Sequence, residues 1–275
     1  MSNTKSLRDL YRQALQGAPS SFEAGELFRF VSGADPASPS LDAPATPEMQ
    51  QELARLLQAR TEGYPLQYLL GQWEFYSLPF LVGPGVLIPR QDTETLVDVA
   101  LDILKHSGKE NPELLDLCSG SGCIAIAIKH NFPGARVSAL EASAKALAFL
   151  KKNAAANGAD IICIHADLRD YESAHMFDMI VSNPPYIPCG ELPSLQTEVQ
   201  HEPVIALDGG EDGLDFYRAI AGRHKSKLVP GGVLLLEIGA GQEKDVADIL
   251  TASGFADVSF HNDLNGIVRV LCAGV

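Results

Sequence analysis

Leu114-Leu115-Asp116-Leu117-Cys118-Ser119-Gly120-Ser121-Gly122-Cys123-Ile124 is the stretch whose reading decides the fold. Residues 114–117 form a short apolar run interrupted only by Asp116, the pattern of a buried strand. Residues 119–122 make a tight turn, and residues 124–128 open a helix. Glycines in such a turn let the backbone pass close to a ligand, and the helix start supplies unpaired N–H groups aimed at it. Residues 136–140 form the next strand, and Glu141 at its end can accept hydrogen bonds from both hydroxyls of a ribose.

The alternation continues outward from there. A helix through Leu147 and Leu150 runs to Gly158, and residues 161–164 make a third strand with His165-Ala166-Asp167 at its end. A fourth strand spans 177–181, a helix 214–228, a fifth strand 233–238 and a helix 242–252. Strands 258–260 and 267–272, joined through Asn265-Gly266, close the chain. Alternation of this kind implies an α/β fold: a doubly wound parallel sheet of seven strands, covered on both faces, with ligands at the carboxyl ends of the strands.

Towards the amino terminus the pattern is helical. Residues 4–16 place Leu7, Leu10, Tyr11, Ala14 and Leu15 at helical spacing, and a second helix carrying Leu27, Phe28 and Val31 ends at Gly33. A third helix starts with Thr46 as cap and Pro47 in its first turn and buries Met49, Leu53, Leu56 and Leu57. Residues 63–82 read as an approach to a β-hairpin between this bundle and the α/β segment. The expected division is therefore a helical domain over 1–71, a linking hairpin over 72–90 and an α/β domain over 91–275. At 92–94, Asp92 or Thr93 is expected to cap a helix, with Glu94 in its first turn.

The fourth strand runs into Asn183-Pro184-Pro185-Tyr186. Two successive prolines stop a strand because neither donates to a ladder, and their fixed rings hold the following loop still. The Asn183 side-chain oxygen and a proline carbonyl can receive both N–H bonds of a planar –NH2 group, and the Tyr186 ring can stack on its face. Taken alone, the four residues also fit an ordinary strand-terminating turn.

NAD and S-adenosylmethionine both fit a glycine turn followed by an acidic ribose ligand. Cys118 stands where the dinucleotide pattern wants glycine, and the charge of Asp116 would repel a pyrophosphate yet favour a sulfonium or an ammonium. A structural brace is the alternative role for Asp116, and also for Asp167, which can otherwise accept from an adenine amino group. A sulfonium cofactor beside an –NH2 acceptor loop points to an N-methyltransferase, in which positioning supplies much of the catalysis.

Together these residues resemble the release-factor glutamine methyltransferases of the HemK or PrmC type. The likeness covers nearly the whole chain: Pro65-Leu66-Gln67-Tyr68-Leu69, Ile88-Pro89-Arg90 with Thr93-Glu94, the 116–122 loop, 183–187, Glu202-Pro203, Gly209-Gly210 with Asp212-Gly213, and Glu237-Ile238-Gly239. The resemblance implies a class I methyltransferase sheet and methyl transfer from S-adenosylmethionine to the glutamine of the Gly-Gly-Gln loop of peptide-chain release factors. By it, Cys118, Ser119, Gly120, Ser121, Gly122, Glu141, Leu168 and Asn183 would contact the cofactor, joined by Asp116 and Asp167. Asn183, Pro184, Pro185 and Tyr186 would hold the glutamine, with Asn183, Pro184 and Tyr186 in the catalytic role. Arg90, which the helix start at 92–94 does not explain, is expected to pair with an acidic loop residue or to order the substrate entrance. Glu141 departs from the usual Asp by one methylene, and Leu168 stands where a larger apolar side chain can cover adenine. The helical domain is expected to grip the release factor.

The bulk properties narrow the partners. The formal charge is −14, and residues 91–275 carry 14 basic against 26 acidic residues. Direct nucleic-acid binding, which leaves a basic footprint, is therefore not expected. Five cysteines without a C-x-x-C pair suggest neither a disulfide framework nor a metal site. The opening residues lack a signal peptide's apolar segment and no run reaches membrane-spanning length, so a cytoplasmic monomer is expected. The rival functions are a nucleobase methyltransferase, which the acidic catalytic segment disfavours, and a non-catalytic adapter, which would have no use for the acceptor loop.

Overall fold

The computed structural model describes residues 5–275. The amino-terminal residue of the first expected helix, Thr4, lies outside them. The chain divides into two compact units, residues 1–71 with 196–201, and residues 72–195 with 202–275.

The first unit is built on helices α1 (Leu7–Gly17), α2 (Ser21–Ser32), α3 (Pro47–Thr61) and α4 (Leu66–Leu70). Their boundaries follow local chemistry. Ser6 and Asp9 form a reciprocal capping box, Ser20 and Thr46 cap the next two helices, and Gly33 ends α2 in the left-handed conformation. Leu10, Ala14, Leu27, Phe28, Leu53 and Leu56 bury the facing stripes completely. Arg60 is also buried: it holds Glu23 with two hydrogen bonds of 2.6 and 3.2 Å, the Tyr64 carbonyl at 2.6 Å and Glu198 at 3.5 Å. Glu198 belongs to the short helix α8 (Thr197–Gln200), and His201 beyond it packs edge-on against Tyr64. The sequence reading placed no helix at α4; its signals were Pro65 before it and Gly71, at φ 73°, after it.

The second unit holds the hairpin β1 (Gln72–Phe75) and β2 (Leu78–Leu81), then α5 (Glu94–His106), β3 (Glu113–Leu117), α6 (Cys123–Asn131), β4 (Arg136–Glu141), α7 (Ala144–Ala156), β5 (Ile162–His165) and β6 (Phe177–Ser182). It continues through α9 (Asp215–His224), β7 (Leu228–Glu237), α10 (Glu243–Ala252), β8 (Ala256–Asn262) and β9 (Val268–Gly274). The seven large-sheet strands lie in the order β5-β4-β3-β6-β7-β9-β8. The first five are parallel. β9 enters antiparallel between β7 and β8, because the turn through Asn265-Gly266 folds it back as a hairpin arm, so the sheet is mixed where a parallel one was expected.

Alternation along the strands divides two apolar layers. Leu114, Met179, Val181 and Leu235 face α5, α6 and α7; Leu115, Leu117, Ile180, Leu234 and Leu236 face α9 and α10. Burying each such side chain contributes about 1.5–3 kcal/mol. The hairpin is part of the first layer through Phe75 and Phe80, which are fully buried there. Asn153 on α7 pins it from behind, accepting from the Leu81 N–H at 2.7 Å and donating to the Leu81 carbonyl at 3.1 Å.

Two elements depart from the sequence reading. The helix expected over 214–228 ends at His224, whose buried ring donates to the Leu168 carbonyl at 2.9 Å; Leu228 already belongs to β7, in register with Phe177. Thr93 does stand at the N-cap of α5, but its side chain makes no capping hydrogen bond: the hydroxyl accepts from Asn183, and Asp92 pairs with Arg269 at 3.0 Å. Glu94 does stand in the first turn of α5, where it accepts the Tyr76 N–H of the hairpin at 2.7 Å.

Candidate active site

Strand order determines where a ligand can enter. The chain leaves β3 towards β4 and β5, then returns to the other side of β3 as β6, so the crossovers part between β3 and β6. A crevice opens at the carboxyl ends of strands at such a switch point. Leu117 and Ser182 are in register there, and the Ser182 hydroxyl donates to the Leu117 carbonyl at 2.7 Å. Cys118 and Asn183, the next residues of each strand, therefore leave the sheet side by side. A cleft lies above them, walled by the 118–121 turn, Leu140 to Ser143, Asp167 to Arg169, Asn183, Pro185, Arg90 and Thr93.

The glycine turn forms one wall. Cys118 takes φ 58°, a left-handed conformation that costs a non-glycine residue of order 1–3 kcal/mol and is met mostly at functional sites. Gly122, at φ 83°, begins α6, and a methyl group there would collide with the Leu150 side chain. The turn is also held by Glu141, whose carboxylate accepts from the Gly120 N–H at 2.8 Å and the Ser143 N–H at 2.7 Å. Burial raises the pKa of Glu141, opposed by these amides and by His165. Beyond it, Asp167 is chelated by Arg169 through contacts of 2.6 to 3.2 Å, and the guanidinium holds its pKa down.

Asn183 forms the facing wall. Its amide nitrogen donates to the Thr93 hydroxyl at 3.1 Å. The following backbone is clamped from two sides. Gln242 donates to the Tyr186 carbonyl at 3.0 Å while its oxygen accepts from the Gly239 N–H at 3.0 Å. The segment 207–210 runs alongside: Ile187 N–H donates to the Leu207 carbonyl, Gly209 N–H to the Ile187 carbonyl, and Cys189 N–H to the Gly210 carbonyl, at 2.8 to 3.0 Å. Gly213, at φ 76°, lies so close to the Tyr186 carbonyl that a side chain would clash with it. The stretch 208–213 thus braces the proline loop as well as starting α9, where Asp212 accepts the Leu214 N–H at 3.1 Å.

Several residues singled out by sequence stand elsewhere. Asp116 does not line the cleft. It lies on the strand face turned towards α6, wholly buried, with neither carboxylate oxygen hydrogen-bonded, and burial pushes its pKa up to about 7. Tyr186 is behind the cleft wall, packed against the α9 and α10 layer, and burial pushes its phenol up to about 12, while Pro184 is buried next to Asn183. Leu168, 2% exposed, does line the cleft. Arg90 lines it too, and its ion-pair partner is Glu202, a buried carboxylate that also accepts from the Ile88 N–H at 2.9 Å. Glu202 therefore ties the entrance segment 88–90 to the chain that follows the acceptor loop.

The sequence reading missed Thr93, Gln242 and Glu237 as site residues. Glu237 ends β7, 2% exposed, with Oε2 unpartnered and a pKa pushed up to about 7 by burial. Its position at a strand's carboxyl end next to the switch strand was the available signal. No cluster of His, Cys, Asp or Glu suited to a metal occurs among the described residues, and no described helix is long and apolar enough to cross a membrane.

A sheet of this order, with a glycine turn and the Asn183-Pro184-Pro185-Tyr186 loop at its switch point, defines an α/β methyltransferase of class I. Solved structures share the fold: a Pyrococcus furiosus methyltransferase superposes with a TM-score of 0.54 at 15% identity, over 82% of this chain and 98% of that one. A T. thermophilus 16S rRNA methyltransferase in complex with AdoMet and guanosine gives 0.54 at 21% identity, over 74% and 49% of the two chains. The family profiles "Methyltransferase small domain" and "PrmC N-terminal domain" match residues 93–198 and 7–71. Release factor glutamine methyltransferase of Geobacter sulfurreducens is 43% identical over 84% of this chain and 81% of its own length. That of Gloeobacter violaceus is 39% identical over 90% and 88%. The chain belongs to the release factor glutamine methyltransferase family.

Proposed function

We propose that this protein transfers a methyl group from S-adenosylmethionine to the side-chain amide nitrogen of the glutamine in the Gly-Gly-Gln loop of peptide-chain release factors. The observation that carries the proposal is the Asn183 amide, anchored by its nitrogen to Thr93 at the rim of the cleft, opposite the 118–121 turn. That anchoring leaves its oxygen available as the acceptor that a planar –NH2 group needs.

The residues present suit the cofactor. Above Gly120 the space is open, with nothing within 4 Å of where a Cβ would sit, so a ligand can lie against the turn. Glu141 retains acceptor capacity for ribose hydroxyls beyond its two amide contacts. Leu140, Ala142 and Leu168 give an apolar lining for a base, and Asp167 a polar edge. Cys118, Ser119, Ser121 and Gly122 supply the backbone of the turn. Asp116 stands behind it and makes no contact with the cleft. S-Adenosylmethionine supplies an electrophilic methyl group on a sulfonium sulfur.

The chain's own part is orientation. Asn183 Oδ1 and the Pro184 carbonyl would accept from the two N–H groups of the glutamine, fixing the nitrogen's approach and favouring charge that builds on it. Pro185 walls the cleft, and Tyr186 stiffens the loop from behind, its carbonyl held by Gln242. Arg90, neutralised by Glu202, orders the entrance. The helical unit 1–71 takes the role of gripping the release factor, the hairpin 72–90 joins it to the sheet, and 91–275 is catalytic. The protein works as a cytoplasmic monomer without direct nucleic-acid binding, in keeping with a net charge of −14.

The test is incubation with labelled S-adenosylmethionine and an unmodified release factor, beside the same factor with its Gly-Gly-Gln glutamine changed to alanine. Label on the first alone is the expected result. Label on neither sinks the substrate assignment, and label on nucleic acid instead would favour the nucleobase reading.

A further inference from the structure

Asn183 can serve as an acceptor only if its amide is held with the oxygen outward. An asparagine amide is nearly symmetric in shape, so a flip would present –NH2 to the substrate's own –NH2 and abolish the contact. Something on the protein side must discriminate the two orientations. Among the described residues the discriminating groups are Thr93 and Glu237.

The Thr93 side chain is 2% exposed and accepts from Asn183 Nδ2 at 3.1 Å. A hydroxyl accepting there has its single proton left to give, and Glu237 stands at the neighbouring strand end, where Leu236 is in register with Ser182 and the Thr93 side chain helps hold the carboxylate's pKa down. The Asn183 side chain also lowers the pKa of that carboxylate, which takes only donors when ionised. Both partners therefore demand the nitrogen end of Asn183. A flipped amide would set its oxygen against a carboxylate in a buried setting, where such repulsion is weakly screened. Glu237 makes no contact with the cleft, and its other oxygen, Oε2, has no partner. A buried, under-partnered carboxylate is an expensive thing to keep for packing alone.

We infer that Glu237, through and alongside Thr93, is a positioning residue that locks the Asn183 amide with its oxygen towards the cleft. The kinetic part of the inference rests on the methyl-transfer function proposed above; the orientation part does not. Protonation would remove the lock, because a neutral carboxyl can donate as well as accept. Burial places that change at about pH 7, held down by Thr93, Arg269 and Asn183 and pushed up by Asp92. Tyr186, Tyr217 and Cys123 also face Glu237 electrostatically, but burial raises all three, so they stay neutral through this range.

The test has two readouts. The first is the Asn183 side-chain amide resonance of the full chain in solution, assigned by its loss in Asn183→Ala. It is expected to titrate with a midpoint of about pH 7 in the wild type and not to titrate through this range in Glu237→Gln. The second is methylation of a release factor at saturating S-adenosylmethionine. Glu237→Gln and Thr93→Val are each expected to lower kcat about 10-fold or more, as loss of one preorganised contact does, with KM for the release factor little changed. Glu237→Gln is expected to flatten the fall in kcat below neutral pH, and Thr93→Ser to restore the rate lost in Thr93→Val. An Asn183 resonance that ignores pH, or that titrates identically in Glu237→Gln, overturns the lock whether or not the protein methylates release factors. A wild type that transfers nothing, with the titration intact, defeats the functional reading and leaves the lock standing. Active Glu237→Gln and Thr93→Val proteins with wild-type kcat and pH profile defeat the lock alone.

Discussion

Replacing Asp116 by Asn should reshape how stability depends on pH. Asp116 is wholly buried beside the start of α6, and burial lifts its pKa from an ordinary 3.8 to about 7. A carboxyl raised in this way keeps its proton in the folded state and loses it in the unfolded chain. Its contribution is therefore most favourable below the unfolded pKa and declines as pH rises towards the folded value. Between about pH 5 and about pH 8 the decline amounts to about 3 kcal/mol, which is about 6–10 °C in Tm for a unit of this size. Asn cannot ionise, so Asp116→Asn lacks this slope; its unpaired –NH2 adds a cost of about 1–3 kcal/mol that is independent of pH. The assay is thermal unfolding of the cofactor-free protein and variant across that range. The difference in Tm should move in favour of the variant by about 6–10 °C from the acid to the alkaline end. The parallel contribution of Glu237 is common to both proteins and cancels. Two curves that run parallel across the whole range would refute the placement of an unpartnered carboxyl at this position.

Other substitutions test other contacts. Gly122→Ala puts a methyl group into the Leu150 side chain at a positive φ; it should cost about 1–3 kcal/mol and weaken S-adenosylmethionine binding in calorimetry. Gln242→Ala removes the clamp between the Tyr186 carbonyl and the Gly239 N–H, and should lower kcat about 10-fold by loosening the acceptor loop, with cofactor affinity unchanged. Arg60→Ala leaves Glu23 uncompensated inside the helical unit. Loss of a buried pair's partner costs about 3 kcal/mol or more, read as a lower denaturant midpoint.

Strand and helix order in the second unit was legible because strand periodicity, the glycine turn and the paired prolines all act locally. What stayed hidden was non-local. Thr93 looked like a helix cap, a role that Ser or Thr before a carboxylate normally signals, but its hydroxyl is taken by Asn183 from 90 residues away. The antiparallel placement of β9 depends on which side of β8 the returning arm chooses, and a turn sequence does not encode that. Asp116 read as a cofactor ligand because it adjoins the turn; the strand's two-residue period turns it to the opposite face from Leu115 and Leu117 and behind the wall. Residues 202–213 carried part of the family likeness, and only the contacts of Gly209 and Gly213 with the Tyr186 backbone revealed the brace. Arg90 was visible as a residue without an ordinary role, and its buried partner Glu202 lay 112 residues on.

The central claim is that the cleft presents an acceptor for a glutamine amide beside the cofactor turn. Its most direct test is fragment mass spectrometry of an unmodified release factor after incubation with S-adenosylmethionine and either wild-type protein or Asn183→Ala. The account expects one methyl group on the side-chain nitrogen of the Gly-Gly-Gln glutamine with the wild type. With Asn183→Ala it expects a rate lower by about 100-fold or more, with cofactor binding retained. Methylation at another residue, or an Asn183→Ala protein as fast as the wild type, would contradict it.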